Sequence, residues 1–203
     1  MAPVAAPKRS DATQAQIVVA AFDVFSRYGF ARTSMSDIAA AAGVSRTSLY
    51  NHFKTKEEVF QALSKRINAE VTTAVVAAAS ASGPTEARLG AIIDAWVSWA
   101  FDLLRKSPHG RELIDEKNRL CAATSADANA AFEGLVARVL TSLLPRSRAS
   151  STARLTPQQA AQLLISAVKG VVHSEDDAER MRAKVRQLVA IFVAGLQPPG
   201  RVP

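Results

Sequence analysis

An all-α chain of roughly nine helices is predicted, a three-helix N-terminal domain followed by a larger helical one. Three observations predict it. Apolar residues recur at helical spacing through the long stretches, no segment alternates convincingly at period two, and proline and glycine gather between the periodic stretches. With 203 residues, 48% hydrophobic and 21% charged, the chain can also bury a real core.

The first helix is expected from about Thr13 to Tyr28. Ile17, Ala21, Val24, Phe25 and Tyr28 share one face, and Gly29 supplies the stop. The second takes Ser34 or its neighbour Thr33 as N-cap, buries Met35, Ile38, Ala39 and Ala42, and ends at Gly43. A third starts after Ser45 and buries Leu49 and Phe53. The fourth is capped by Thr55, carries Glu57 and Glu58 where the helix dipole favours acids, and runs to about Ala79.

Ser80–Pro84 marks a boundary. The fifth helix, Thr85–Lys106, has a broad apolar arc of Ile92, Ile93, Trp96, Val97, Trp99, Ala100, Leu103 and Leu104, so other helices should surround it. On its other side Asp94, Ser98, Asp102 and Lys106 recur every fourth residue and read as a solvated stripe with an Asp102–Lys106 pair. Helices follow around 110–122 and 126–143. Arg146–Arg154 reads as a basic, serine-rich loop. The last two helices run from about Pro157 to Val172, with Thr156 as cap, and from Asp176 to Leu196.

Composition excludes several classes. No apolar run approaches the roughly 18–20 residues that span a bilayer. The single cysteine, Cys121, allows no intramolecular disulfide, and three histidines are a thin basis for a metal site. Met1–Thr13 lacks the apolar core of a secretory signal, so a cytoplasmic protein is expected, with no membrane partner. The formal net charge is +7, and it is unevenly placed. Residues 27–56 hold Arg27, Arg32, Arg46, Lys54 and Lys56 against the single acid Asp37, whereas residues 67–203 hold 16 basic and 13 acidic residues. An anionic partner for the N-terminal region is implied.

Residues 34–53, SMSDIAAAAGVSRTSLYNHF, meet the physical requirements of a helix-turn-helix. Ala39 is small where the two helices touch, Gly43 permits the sharp reversal, Val44 plugs the turn and Leu49 anchors the second helix. The outward positions are then Arg46, Thr47, Ser48, Tyr50, Asn51 and His52, hydrogen-bonding side chains suited to bases and phosphates in a major groove.

Around this hairpin, Tyr28-Gly29-Phe30, Thr33-Ser34, Asp37-Ile38-Ala39, Gly43-Val44-Ser45, Leu49-Tyr50, His52-Phe53 and Lys56-Glu57 stand in one register. The run Ile17–Leu63 resembles the TetR family of bacterial transcriptional regulators; the rest of the chain is similar only in length and helical layout. The resemblance implies a basic tail at 1–12, a helix-turn-helix DNA-binding domain at 13–56 and a helical ligand-binding and dimerisation domain at 57–203. It implies that Thr33, Ser34 and Ser36 touch phosphate or a groove edge. Arg46, Thr47 and Asn51 would read bases, and Ser48, Tyr50, His52 and Lys56 would bind backbone phosphates. Tyr50 could instead pack on the motif's own core and His52 serve as a helix-end cap. Thr47 stands where the family often has Gly or Ala, and Ser36 where it often has a basic residue, which bears on specificity.

The same resemblance implies a dimer through the last two helices, with Leu164, Val168, Val171, Val185, Leu188 and Phe192 as its residues, and hence a near-palindromic double-stranded DNA site. It also implies an effector pocket among the middle helices, for which Trp96, Trp99, Leu103, Cys121 and Phe132 are candidates for a largely apolar small molecule. No cofactor is expected. The alternatives are a DNA-binding protein of the same fold without an effector and, more remotely, an enzyme using Cys121 with His109 or His173.

Overall fold

Helix α1, Arg9–Tyr28, starts ahead of the expected Thr13, with Asp11 in its first turn at the positive end of the helix dipole. Residues 9–12, assigned to the tail from sequence, are therefore helical. The structure, a computed structural model, describes residues 9–123, 125–142 and 155–196. Residues 1–8, with Lys8, and the Arg146–Arg154 segment lie outside it. Ile17, Ala21, Val24 and Phe25 are buried as their spacing requires, but Tyr28 is exposed. Gly29 then ends the helix at φ +81, a conformation that an L side chain resists.

The motif helices α2 (Met35–Ala41) and α3 (Arg46–His52) have seven residues each. Helices this short are marginal alone, so caps and packing must hold them. Ser34 is the N-cap of α2: its hydroxyl oxygen accepts from the Asp37 amide, and the Asp37 carboxylate accepts from the Ser34 amide at 2.9 Å and hydroxyl at 2.7 Å. Gly43, at φ +64, turns the chain, and the Ser45 hydroxyl accepts the Ser48 amide to start α3. Leu49 is fully buried beneath it.

The longer helices are α4 (Lys56–Ser80), α5 (Thr85–Lys106), α6 (Gly110–Cys121), α7 (Ala126–Leu140), α8 (Pro157–Ser174) and α9 (Ala178–Leu196). They form two compact units. One holds α1 to α3, α4 through Ile67, and α6; the other holds α4 from Asn68, α5 to Arg105, and α7 to α9. Among the described residues every regular element is a helix, as the sequence predicts.

The core of the first unit is aromatic. Phe25, Phe30 and Phe60 form a triangle with ring centroids 5.2–5.5 Å apart, two of the contacts edge-on. Such pairs add about 0.5–1.5 kcal/mol each beyond the area they bury. Leu113 and Ile114 of α6 belong to the same buried set.

In the second unit the apolar arc of α5 is covered: Leu89, Ile92, Ile93, Val97, Ala100 and Leu103 are buried. Helix α8 begins with Pro157 behind a Thr156–Gln159 capping box, and packs on α7 and α9. Between α8 and α9, Glu175 is buried and held by Lys184 at 2.6 Å and Arg180 at 3.2 Å. The hydrogen bond from Lys184 is the main cause that holds its carboxyl below the usual range. One expectation changes here. Asp94 does not stand in a solvated stripe but is paired with Arg186 of α9 at 3.1 Å, while Arg182 lies over the Phe101 ring at 4.7 Å. Periodicity within α5 could not show a partner 92 residues away.

Phe25→Ala should cost about 3–5 kcal/mol, a large part of a typical domain's 5–15 kcal/mol; urea unfolding followed by circular dichroism measures it. Asp37 supplies the pH dependence. The Ser34 hydroxyl first, and its amide second, hold the Asp37 carboxyl below its ordinary value. A depressed carboxylate stabilises the fold above its unfolded pKa, and that contribution disappears as the pH falls. Asp37→Asn should therefore be less stable than the parent near neutrality, with the difference closing from about pH 5 to pH 2.

Candidate nucleic-acid interface

Helix α3 is held from beneath and open above. Leu49 is its one fully covered side chain, whereas Arg46, Thr47, Tyr50 and Asn51 are exposed and Ser48 and His52 are half-buried. Among the described residues, Arg46, Thr47 and Asn51 have no hydrogen-bond or ion-pair partner, so their donors are unspent. Below the helix end, Lys54 donates to the Tyr50 carbonyl at 2.7 Å, a cation where the dipole favours one, and its own amide donates to Glu58 at 2.6 Å. Helix α3 is thus fixed at both ends, by Ser45 and by the Lys54–Glu58 turn.

The expected phosphate-facing residues divide. Ser34 is exposed but committed to its capping box, and Ser36 is half-buried at the start of α2. Thr33 is turned inward: it is buried and its hydroxyl donates to the Gly29 carbonyl at 2.7 Å, closing the α1–α2 turn. Its side chain is accordingly a part of the turn, not of the surface. Lys56 also turns back, donating to the carbonyls of Phe30 at 2.8 Å, Ala31 at 3.1 Å and Thr33 at 3.2 Å.

Two basic residues missed by motif reasoning stand nearby. Arg27 and Arg32 line a groove of about 610 Å³ together with Asp23 and His109. Among the described residues neither arginine has a hydrogen-bond or ion-pair partner. The charge imbalance of residues 27–56 was the available signal for them. Helix α6 also reaches the α1–α2 turn: Glu112 accepts the Ala31 amide at 2.8 Å, and the Ser107 hydroxyl donates to the Ser26 carbonyl at 2.6 Å. A Cβ on Gly29 would meet the Glu112 carboxylate, the end of a flexible side chain that can move away, so it is the φ of +81 that favours glycine there.

The remaining candidates fall in different places. In the second unit Trp96 stacks on Phe132 with centroids 4.5 Å apart, Lys169 lies over Trp96 at 5.9 Å, Leu103 is buried and Trp99 half-buried. Cys121 is buried at the end of α6 in the first unit. Of the residues expected at a dimer interface, Leu164, Val168 and Val185 are buried within their own unit, at 0%, 0% and 1% exposure. Both terminal helices are apolar on two sides, and these three lie on the inner one. Val171, Leu188 and Phe192 are half-buried, and the exposed apolar residues are Leu163, at 52%, and Ile191, at 72%.

Residues 17–63, from α1 into α4, match the family described as bacterial regulatory proteins, tetR family. The HTH-type transcriptional activator FasR of Mycolicibacterium smegmatis is 30% identical over 132 residues, covering 61% of this chain and 58% of FasR. The HTH-type transcriptional regulator TtgR of Pseudomonas putida is 51% identical over 51 residues, 25% of this chain and 24% of TtgR. The chain thus matches less than two thirds of either relative's length. The crystal structure of a TetR transcription regulator from Haloarcula marismortui shares the fold, with a TM-score of 0.74 at 13% identity over 93% of this chain and 100% of that one. The segment 17–63 thus matches the tetR family of bacterial regulatory proteins, and the chain as a whole shares the fold of a solved TetR transcription regulator.

Proposed function

We propose that the chain is a dimeric DNA-binding transcriptional regulator, a repressor whose hold on a near-palindromic operator is relaxed by a small, largely apolar molecule. The observation that carries this reading is helix α3: anchored by buried Leu49, it offers Arg46, Thr47, Tyr50 and Asn51 outward with donors unspent. Arg46 suits a bidentate contact to guanine, and Thr47 and Asn51 the neighbouring bases. Ser36, Ser48, Tyr50 and His52 suit phosphates, which set register rather than sequence. The exposed arginines Arg27 and Arg32 add to the attraction for the backbone.

Dimerisation is proposed through the outer faces of α8 and α9, centred on Leu163 and Ile191 with Val171, Leu188 and Phe192 beside them. The effector is proposed to bind among the helices of the second unit, near Trp96, Trp99, Leu103 and Phe132. It acts by favouring a state poorly matched to DNA, so DNA must weaken effector binding by the same factor. Among the described residues no helix is long and apolar enough to cross a membrane. The proposed location is the cytoplasm, on the nucleoid when DNA is bound.

The relatives matched are named as transcriptional regulators. Geometry argues against one of the two enzyme pairings, Cys121 with His109: His109 precedes α6 and Cys121 ends it, and helical residues this far apart are separated by about 18 Å at 1.5 Å each. They cannot act together as base and nucleophile across that distance.

Sheared DNA from the source organism, captured on the purified protein at moderate salt and sequenced, should yield one enriched near-palindrome. Capture without enrichment would point to an architectural DNA binder instead. On that operator, Arg46→Ala should lose about 1–3 kcal/mol of discrimination at one base pair per half-site, measured by affinities for a panel of single-base variants. Leu163→Asp with Ile191→Asp should convert the dimer to a monomer in sedimentation equilibrium, because burying unpaired charge at an apolar interface is costly. A dimer that persists in the double variant would place the interface elsewhere.

A further inference from the structure

Lys169 is the only lysine, arginine, aspartate or glutamate in the 18 residues of helix α8. It is exposed, and among the described residues it has no hydrogen-bond or ion-pair partner. Its ammonium stands 5.9 Å from the centre of the Trp96 ring, at the outer edge of the range in which an aromatic face stabilises a cation. Trp96 is itself unusual for its place on α5. Ile92, Ile93 and Ala100, one turn away on either side, are buried at 0%, 0% and 1% exposure, and Val97 and Leu103 of the same arc are buried too. Trp96 is only half-buried, so the inner face of α5 opens to solvent there. Phe132 of α7 stacks on the ring with centroids 4.5 Å apart and planes 14° from parallel. Among the described residues the indole N–H has no acceptor, although a tryptophan set against a core ordinarily spends that proton.

Glu133, beside Phe132 in sequence, serves neither donor. Its Oε1 accepts from the side-chain amide of Gln158 and, at 2.7 Å, from that of Gln162. Those residues precede Lys169 on α8 by two and three turns, roughly 10–17 Å at 1.5 Å per residue. The acid is committed to the seam between α7 and α8.

We propose that the effector is an apolar organic acid. Its carboxylate binds between the Lys169 ammonium and the Trp96 indole N–H, and its body lies along the opening over the Trp96–Phe132 stack. The inference rests on the effector reading above and gives that ligand its chemical class.

Two unspent donors, one of them cationic, with the neighbouring acid held elsewhere, select a group that only accepts. An ionised carboxylate has two acceptor oxygens and no proton to give, whereas a primary amide of the same shape brings N–H groups that need acceptors of their own. Charge-assisted hydrogen bonds are also roughly twice as strong as neutral ones. A neutral ligand leaves the ammonium as it stands; an acid satisfies it.

The test measures direct binding to the full chain by calorimetry, and by tryptophan emission in a Trp99→Phe background. The chain has two tryptophans, so that background reports Trp96 alone. The probes are benzoate, hydrocinnamate and cyclohexanecarboxylate, each against its primary amide, at neutral pH. At least one acid should bind about tenfold or more tightly than its amide and change the Trp96 emission. Lys169→Gln, at an exposed position, should cut the affinity for that acid about tenfold and leave its amide within about twofold. Trp96→Phe keeps a ring against Phe132 and should weaken the acid several-fold through the lost N–H. Arg138→Gln removes an exposed cation elsewhere on α7 and should change neither affinity. An acid preference that survives Lys169→Gln, or that Arg138→Gln removes equally, would overturn the proposal. Amides that bind as tightly as their acids would also overturn it; the effector site then stands and its ligand is neutral. If no probe of either kind binds at millimolar concentration, the proposal falls and the effector reading falls with it, while capture of DNA by the same protein is unaffected.

Discussion

The α1–α2 turn, residues 29–33, is the constraint on which the helix-turn-helix depends. It is gripped from three directions by different chemistry. Its carbonyls are caged by Lys56 of α4, the Ala31 amide is taken by Glu112 of α6, and the Thr33 hydroxyl closes the loop onto Gly29. Backbone polar groups in a turn against a core must find partners; here side chains take the Ala31 amide and the Gly29, Phe30, Ala31 and Thr33 carbonyls, while the Gly29 and Thr33 amides bond to the Phe25 and Phe30 carbonyls. The turn's clearest sequence requirement is at Gly29, where the backbone lies at a positive φ that an L side chain resists.

From that fixed turn the motif helices follow by short-range rules. Two seven-residue helices gain little from propensity and could not persist in isolation. They stand because each cap is made by the adjacent residue, Ser34 for α2 and Ser45 for α3, and because Ile38, Ala39 and Leu49 are buried where α1, α2 and α3 pack. Side chains used for caps and packing point inward or along the backbone. Those left over on α3, Arg46, Thr47, Tyr50 and Asn51, form a polar surface on a rigid support. Rigid support matters for recognition, since base contacts discriminate only when the side chains arrive already oriented.

How much of this was legible depended on the range of the interaction. The motif boundaries, the Ser34 cap, the stops at Gly29 and Gly43 and the Thr156-Pro157 start of α8 are local, and each can be read within a few residues. Lys56, Thr33 and Asp94 read differently in sequence and structure. Lys56 and Asp94 spend their polar groups on partners 23–26 and 92 residues away, which no local rule reaches. Thr33 bonds only four residues back, but its burial comes from helices packed around the turn. The terminal helices fail for another reason. Helical periodicity locates an apolar arc but not which side of a two-sided helix its own chain covers. Leu164, Val168 and Val185 face the unit's core, and Leu163 and Ile191 remain outside.

The charge excess of residues 27–56 then takes on two separate roles. Lys54 and Lys56 are bonded to backbone carbonyls, yet each still carries its full charge and contributes to the field that draws a polyanion in. Among the described residues Arg27, Arg32 and Arg46 have unspent donors; under the proposed function Arg27 and Arg32 would meet phosphates and Arg46 a base. Under the proposed function, steering falls to the two lysines bonded to backbone carbonyls and contact to the exposed arginines. That division matches the chemistry of the two side chains. An ammonium satisfies converging carbonyls without a preferred plane, while a guanidinium presents the flat, bidentate face that phosphate and guanine both accept.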